Sequence, residues 1–192
     1  MNERGMLIIL SGPSGVGKGT VRSKLFEQVN NISYSVSMTT RTPREGEVHG
    51  VDYFFVDDNE FMKNVESGNM LEWAEFVGNK YGTPLDKVED ILSSGKDVML
   101  EIEIQGALQV KEKVRDGLFI FLMPTSLKEL ENRLRSRGSE TEDIIMERLD
   151  KAKRELPLRE QYNYVVINDE VDKVCSQIID IINLEKTLRR EL

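Results

Sequence analysis

The stretch Gly12-Pro13-Ser14-Gly15-Val16-Gly17-Lys18-Gly19-Thr20 constrains this 192-residue chain more than any other. It follows the apolar run Met6–Leu10 and leads into Val21, Leu25 and Val29, which are spaced by four. A buried strand, a glycine-rich turn and a helix in that order make a site for an anion. The glycines let the backbone wrap closely, several N–H groups point at one centre, and the helix N-terminus adds a favourable dipole. Lys18 adds a mobile ammonium for terminal phosphates. Chance places two glycines and a lysine at this spacing in only ~0.06 of chains this long, so the stretch is read as a phosphate loop. The general pattern has Ser or Thr directly after the lysine, where its hydroxyl helps hold Mg²⁺. Here Gly19 stands there and Thr20 follows. Either Thr20 supplies the hydroxyl, or magnesium is held mainly by phosphates, water and other residues.

Charge sets a second constraint. The chain has 26 Lys+Arg against 34 Asp+Glu, a net charge of −8. That balance argues against nucleic-acid polymers as partners, which need a basic surface. An anionic ligand must be held by a local positive cluster. With one histidine (His49, in a polar loop) and one cysteine, a His/Cys zinc site lacks its ligands. Cys175 falls in a helical stripe with Val171, Val174, Ile178 and Ile182 and is read as core. Met6–Leu10 is too short for a signal-peptide core, and no stretch reaches the ~18–20 apolar residues of a membrane span. The expectation is a soluble cytoplasmic protein without membrane contact.

Four strand-length apolar runs recur, at Met6–Leu10, Val98–Ile104, Leu118–Leu122 and Tyr164–Ile167. Such runs suit strands buried on both faces of a parallel sheet. Amphipathic patterns lie between them: Leu127, Leu130 and Leu134 on one face, and a stripe from Val171 to Leu188. Ser126 with Glu129, Ser139 with Glu142 and Asp57 with Glu60 mark helix starts. The alternation predicts a doubly wound α/β fold, a parallel sheet flanked by helices. Residues 34–95 break the rhythm and are read as an inserted lobe, with core segments 1–33, 96–135 and 155–192 and a helical lid at 136–154, all in one domain. Within the lobe, Met70–Val77 reads as extended, with Met70, Glu72, Ala74 and Phe76 on one face, and Thr83-Pro84 as a helix N-terminus.

Several further residues can carry chemistry. Arg41 and Arg44, in a segment with Tyr53 and Tyr81 further on, suit a phosphate clamp; a solvated polar loop is the alternative. Glu72 can accept two parallel bonds from an N–H pair such as guanine offers along its N1/N2 edge, whereas on an exposed edge strand a Glu needs no explanation. Glu101 and Glu103, at the carboxyl end of a central run, suit hydrated magnesium or the polar edge of a substrate, or a strand end emerging into water. Arg133, Arg137 and Arg148 suit a lid closing over phosphates, while ordinary pairing such as Glu129 with Arg133 is the simpler reading.

Taken together, Ser11–Thr20, Ser35–Glu47 with Asp52-Tyr53, Leu71–Trp73, Tyr81-Gly82-Thr83, Glu101–Gly106 and Arg133-Leu134 through Arg148-Leu149 resemble the guanylate kinase family. The resemblance runs from about Leu7 to Asp172. The segment Ser37–Arg44 is its most family-specific part. It implies a P-loop NTPase fold with an inserted acceptor-binding lobe and a helical lid, and the reaction ATP + GMP → ADP + GDP with Mg²⁺. By this resemblance Gly12–Thr20 (Gly12, Pro13, Ser14, Gly15, Val16, Gly17, Lys18, Gly19 and Thr20) and Asn168 bind ATP. Arg41, Arg44, Tyr53 and Tyr81 bind the GMP phosphate, and Ser37, Glu72 and Thr83 contact guanine, with Glu101 and Glu103 on the same ligand. Lys18, Arg41, Arg133, Arg137 and Arg148 act in transfer. Thr20, and Glu101 through water, serve the metal. Many members have Asp at Glu101 and Glu103, and some have Ser at Thr83. The implied partners are ATP and GMP, with dGMP as a further acceptor and room for a homo-oligomer. Two alternatives stay open: a protein-binding module of this fold without catalysis, and a same-fold kinase for another small phosphate acceptor.

Overall fold

All four apolar runs contain a parallel strand in the computed structural model, which describes residues 4–76, 78–136 and 141–191. In chain order, β1 (Leu7–Ser11) leads to α1 (Lys18–Gln28) and the short strands β2 (Ile32–Tyr34), β3 (Met38–Thr39) and β4 (Phe54–Phe55). Next come α2 (Asp58–Glu66), β5 (Met70–Phe76), β6 (Asn79–Pro84) and α3 (Leu85–Ser93). Then follow β7 (Asp97–Glu101), α4 (Ile104–Lys113), β8 (Leu118–Pro124), α5 (Leu127–Ser136) and α6 (Glu142–Glu155). A 3-10 segment (Leu156–Gln161), β9 (Tyr164–Asn168) and α7 (Val171–Arg190) close the order.

The chain divides into two compact units, one of residues 8–30, 101–104 and 118–192, the other of residues 1–7, 31–100 and 105–117. In the first, β1, β8 and β9 run parallel, with Ile8 opposite Leu118 and Ile120 opposite Tyr164. All five β1 residues are buried, as strands covered on both faces require. Helix α5 packs on β8, and α7 packs on β9 and α1. Cys175 is fully buried in that last contact, its Sγ 3.6 Å from the Val21 carbonyl oxygen, so it is the core residue that its stripe predicts. Among the described residues no helix is long and apolar enough to cross a membrane.

In the second unit β2 lies parallel to β7, and a separate four-stranded sheet has the order β4-β3-β6-β5. Strand β3 is parallel to β4 and antiparallel to β6, which pairs antiparallel with β5. Met38, Phe61 and Met70 form this sheet's core, with Trp73 against them. Helix α2 begins as expected, the Asp57 carboxylate accepting the Glu60 N–H at 2.8 Å. Asp57→Ala leaves that N–H to water and should cost about 1 kcal/mol. In thermal unfolding this reads as a fall of roughly 2–4 °C.

Three expectations change. Strand β7 stops at Glu101 and Ile104 opens α4, so Glu101 and Glu103 do not share one strand. Apolar content alone cannot separate a strand from a buried helix entry, and both Ile102 and Ile104 are buried. On β5 the register shifts between Met70 and Glu72. The extra residue breaks the two-residue period, so Met70 packs with Trp73 in the sheet core and does not share the face of Glu72. Helix α6 begins at Glu142 with Thr141 at its cap, and the proposed cap Ser139 lies outside the described residues.

Candidate active site

The phosphate loop needs glycine because of its own backbone. Gly17 precedes α1 at φ 101°, and a Cβ there would stand 2.8 Å from Asn168 Nδ2. An alanine would meet strain and a clash together. Lys18, buried at the start of α1, donates from Nζ to the Gly12 carbonyl oxygen at 2.7 Å and to Glu103 Oε1 at 3.0 Å. A cavity of about 270 Å³ lies over this turn, lined by Ser14, Gly15, residues 17–20, Glu101 and Glu103. Its floor combines a helix N-terminus, an ammonium and glycine backbone, the donor set that binds phosphate.

The carboxylates at this cavity are unlike one another. Burial pushes Glu101 above the usual carboxylate range, against the pull of the Arg22 guanidinium at 3.3 Å and of Lys18. Desolvation also acts to raise Glu103, but Lys18 outweighs it, with help from Lys151, and holds Glu103 below that range. Lys151 in turn stands 3.6 Å from both Glu103 and the buried Glu155. A Cβ on Gly19 would lie 3.5 Å from Glu101 Oε1, so this carboxylate sits directly beside the loop. Thr20 is exposed at the same cavity. A hydroxyl and a carboxylate are hard oxygen donors of the kind magnesium takes. Among the described residues no group of three or more His, Cys, Asp or Glu could hold a metal. A divalent ion here would therefore draw most of its ligands from phosphates and water.

Arg133 makes the ordinary helical pair anticipated for it and two backbone contacts besides. Its Nε donates to Glu129 at 3.0 Å in the ordinary helical pair, while Nη1 donates to the Val16 carbonyl at 2.9 Å and Nη2 to that of Asn168 at 3.2 Å. The guanidinium thus ties the loop to the end of β9. Asn168 is buried, its Nδ2 donating to the same Val16 carbonyl at 2.7 Å and its Oδ1 lacking a partner. Arg148 lies half-buried on α6, and Arg137 lies outside the described residues.

The other unit holds the remaining candidates. Arg41 meets Glu47 through two bonds of 2.9 and 2.8 Å, and its guanidinium carbon stands 5.5 Å from the Tyr53 ring centre. Tyr53 and Tyr81 are in edge contact at 6.1 Å. The Arg44 backbone N–H donates to Glu47 at 2.7 Å. The Arg41 guanidinium, with that N–H, brings the Glu47 carboxyl down to about 2. Glu72 is 6% exposed, and its Oε1 accepts the Thr83 hydroxyl at 2.6 Å. Burial raises its pKa, opposed by Thr83 and by the Lys113 charge. Ser37 directly precedes Met38, which pairs with Gly82 beside Thr83. Arg41, Tyr53 and Tyr81 are therefore brought together, as are Glu72 and Thr83.

Comparison with known proteins bears on these two groups of residues. The guanylate kinase family model matches residues 4–185. The chain belongs to the guanylate kinase family. It is 57% identical to the guanylate kinase of Lactococcus lactis over 96% of this chain and 90% of that one. With the guanylate kinase of Bacillus subtilis it shares 56% identity over 100% of this chain and 94% of the relative. The crystal structure of guanylate kinase from Anaplasma phagocytophilum superimposes with a TM-score of 0.74 at 36% identity, covering 95% of this chain and 87% of that one. Four residues to which the motifs gave no role pair with residues of those motifs: Glu47, Arg22, Lys151 and Gln109, the first and last in one unit and the other two in the other. Their partners lie 6, 79, 48 and 36 positions away in sequence (Arg41, Glu101, Glu103 and Trp73), beyond any local spacing rule.

Proposed function

We propose that the chain transfers the γ-phosphoryl group of ATP to GMP, giving ADP and GDP, with Glu72 as the reader of the guanine base. The observation that carries the acceptor assignment is the buried Glu72 carboxylate, oriented by Thr83. Ionised, it offers two acceptors to the N1–H and N2–H donors of guanine, a pair that adenine lacks. Ser37 and Thr83 complete the base contacts. Arg41, Arg44, Tyr53 and Tyr81 take the GMP phosphate, the planar guanidinium forks suiting its oxygens.

On the donor side, the residue 12–20 loop and Lys18 hold the ATP phosphates. Asn168, held on the loop through its Nδ2 bond to Val16, lies near the adenine. Arg133, Arg137 and Arg148 neutralise charge spread over the transferred group, and residues 136–154 act as a lid that excludes water. Mg²⁺ would supply further charge neutralisation, and the Thr20 hydroxyl and Glu101, with Glu103 beside them, are the groups that would hold it. No general base is required, because the second pKa of a phosphate monoester is ~6 and the attacking oxygen is largely ionised at neutral pH. The work of this chain's residues is alignment and electrostatics.

A coupled assay of ADP release with GMP, dGMP, AMP, CMP and UMP tests the assignment. GMP should exceed AMP by roughly a hundredfold or more in kcat/KM, since a site built to pair N–H donors rejects an analogue lacking them. Equal rates with AMP would overturn the guanine assignment. Absence of turnover with every acceptor would favour a protein-binding module.

A further inference from the structure

Strand β5 is an edge strand, paired on one side only with β6, yet its Glu72 is buried. The free edge of such a strand presents backbone N–H and C=O groups that need partners. Helix α4 supplies them from one face. Gln109 Oε1 accepts the Trp73 N–H at 3.1 Å, and Gln109 Nε2 donates to the Trp73 carbonyl oxygen at 2.9 Å. One turn on, Lys113 Nζ donates to the carbonyl oxygens of Met70 and Leu71 at 2.8 and 2.9 Å. One turn back, Gly106 leaves room for Glu72 itself, since a Cβ there would stand 2.5 Å from Glu72 Oε2 and 3.1 Å from its Cδ. Spacings of three and four place these three residues on one side of the helix.

We propose that Gln109 is a positioning residue for acceptor specificity: its side-chain amide acts as a further strand against Trp73 and, with the space left by Gly106, fixes the neighbouring Glu72 carboxylate for the base. The proposal rests on the reading of Glu72 as the guanine contact. A carboxylate that accepts two parallel bonds must be held to about half an ångström to discriminate by geometry. Thr83 fixes one carboxylate oxygen and bare Gly106 bounds the other, while Gln109 pins the backbone one residue along. Two features make Gln suited to position 109. Its amide matches a peptide group, pairing donor to acceptor and acceptor to donor at Trp73. It also reaches the strand edge from a helix, where a backbone partner cannot. Lys113 adds its charge to the same edge, opposing the desolvation of Glu72.

The test uses Gln109→Met, which keeps length and volume but loses both bonds, and Gly106→Ala, which adds one methyl group where Glu72 Oε2 lies. Glu72→Gln is measured in parallel. For each, calorimetry gives the Kd for GMP, and steady-state kinetics give KM for GMP and ATP and the GMP/AMP ratio of kcat/KM. Both α4 variants should weaken GMP binding about tenfold and lower the GMP/AMP ratio by about the same factor. KM for ATP and kcat at saturating GMP should stay within about twofold, a split that general loss of folded protein does not produce. An unchanged ratio in the α4 variants while Glu72→Gln loses it would overturn the role of Gln109. An unchanged ratio in Glu72→Gln would instead overturn the guanine reading, and the proposal with it. If the variants do not fold, hydrogen exchange on the unmodified protein decides. The Trp73 amide should slow about tenfold with GMP and not with ATP, and an unchanged rate overturns the proposal.

Discussion

Lys18→Met should lower kcat/KM about a thousandfold, the size of effect expected when a preorganised donor to developing phosphate charge is removed. The loss should fall mainly on kcat, because the residue 12–20 backbone still binds phosphate while the ammonium that follows charge onto the leaving group is gone. Lys18 is buried and holds Gly12 O and Glu103 in the free protein. On the proposed role of Lys18, these partners would be exchanged for phosphate oxygens when ATP binds, the lysine being already desolvated before it is needed. Folding should survive the change. Glu103 is half exposed, keeps Lys151 at 3.6 Å and can be solvated, so no charge is stranded in the interior. The measurement is kcat and KM for both substrates, with the thermal midpoint as a control. A variant that retains more than a tenth of wild-type kcat would remove Lys18 from the chemistry.

The parts of this molecule readable from its sequence are those with local physical causes. The phosphate loop depends on glycine conformations and a helix start within nine residues. The Asp57–Glu60 and Ser126–Glu129 caps each close a bond across three residues, and these two predicted pairs form, the Ser126 hydroxyl accepting from Glu129 N–H at 3.0 Å. What escaped a sequence reading depends on long-range partners or on a single inserted residue. The bulge between Met70 and Glu72 shifts one residue against the period, and a strand pattern carries no mark of it. Glu103 lies inside the run Val98–Ile104, yet the strand ends two residues earlier, at Glu101. Arg41 reads as part of a phosphate clamp or of a solvated polar loop, and neither reading carries a sign of its two-bond partner Glu47. An edge strand with a Glu looks solvated until α4 covers it, and that cover depends on Gln109 being brought to a strand 36 positions away.

Glu72→Gln should collapse the preference for GMP over AMP about a hundredfold, chiefly through loss of GMP turnover at low concentration. The amide can keep the Thr83 bond through its oxygen, but its NH₂ then faces the guanine N–H donors. Two charge-assisted bonds become at best one neutral bond and a donor–donor contact, about 2–3 kcal/mol. AMP uses neither bond, so its slow turnover should change little. Acidity gives the same residue a second signature. Burial holds the Glu72 pKa above its usual range, and only the ionised form accepts both donors. GMP affinity should therefore rise with pH through that raised pKa and level off above it, on top of the step near pH ~6 from the second ionisation of the GMP phosphate. In Glu72→Gln only the phosphate step should remain. Stability should move the opposite way. A carboxyl with a raised folded-state pKa contributes stability below its unfolded pKa and loses it as pH rises through the folded one. The variant should then unfold no more easily than the parent at pH 7 while binding GMP far less well. A GMP/AMP ratio equal to wild type, or an unaltered pH profile, would remove Glu72 from base recognition.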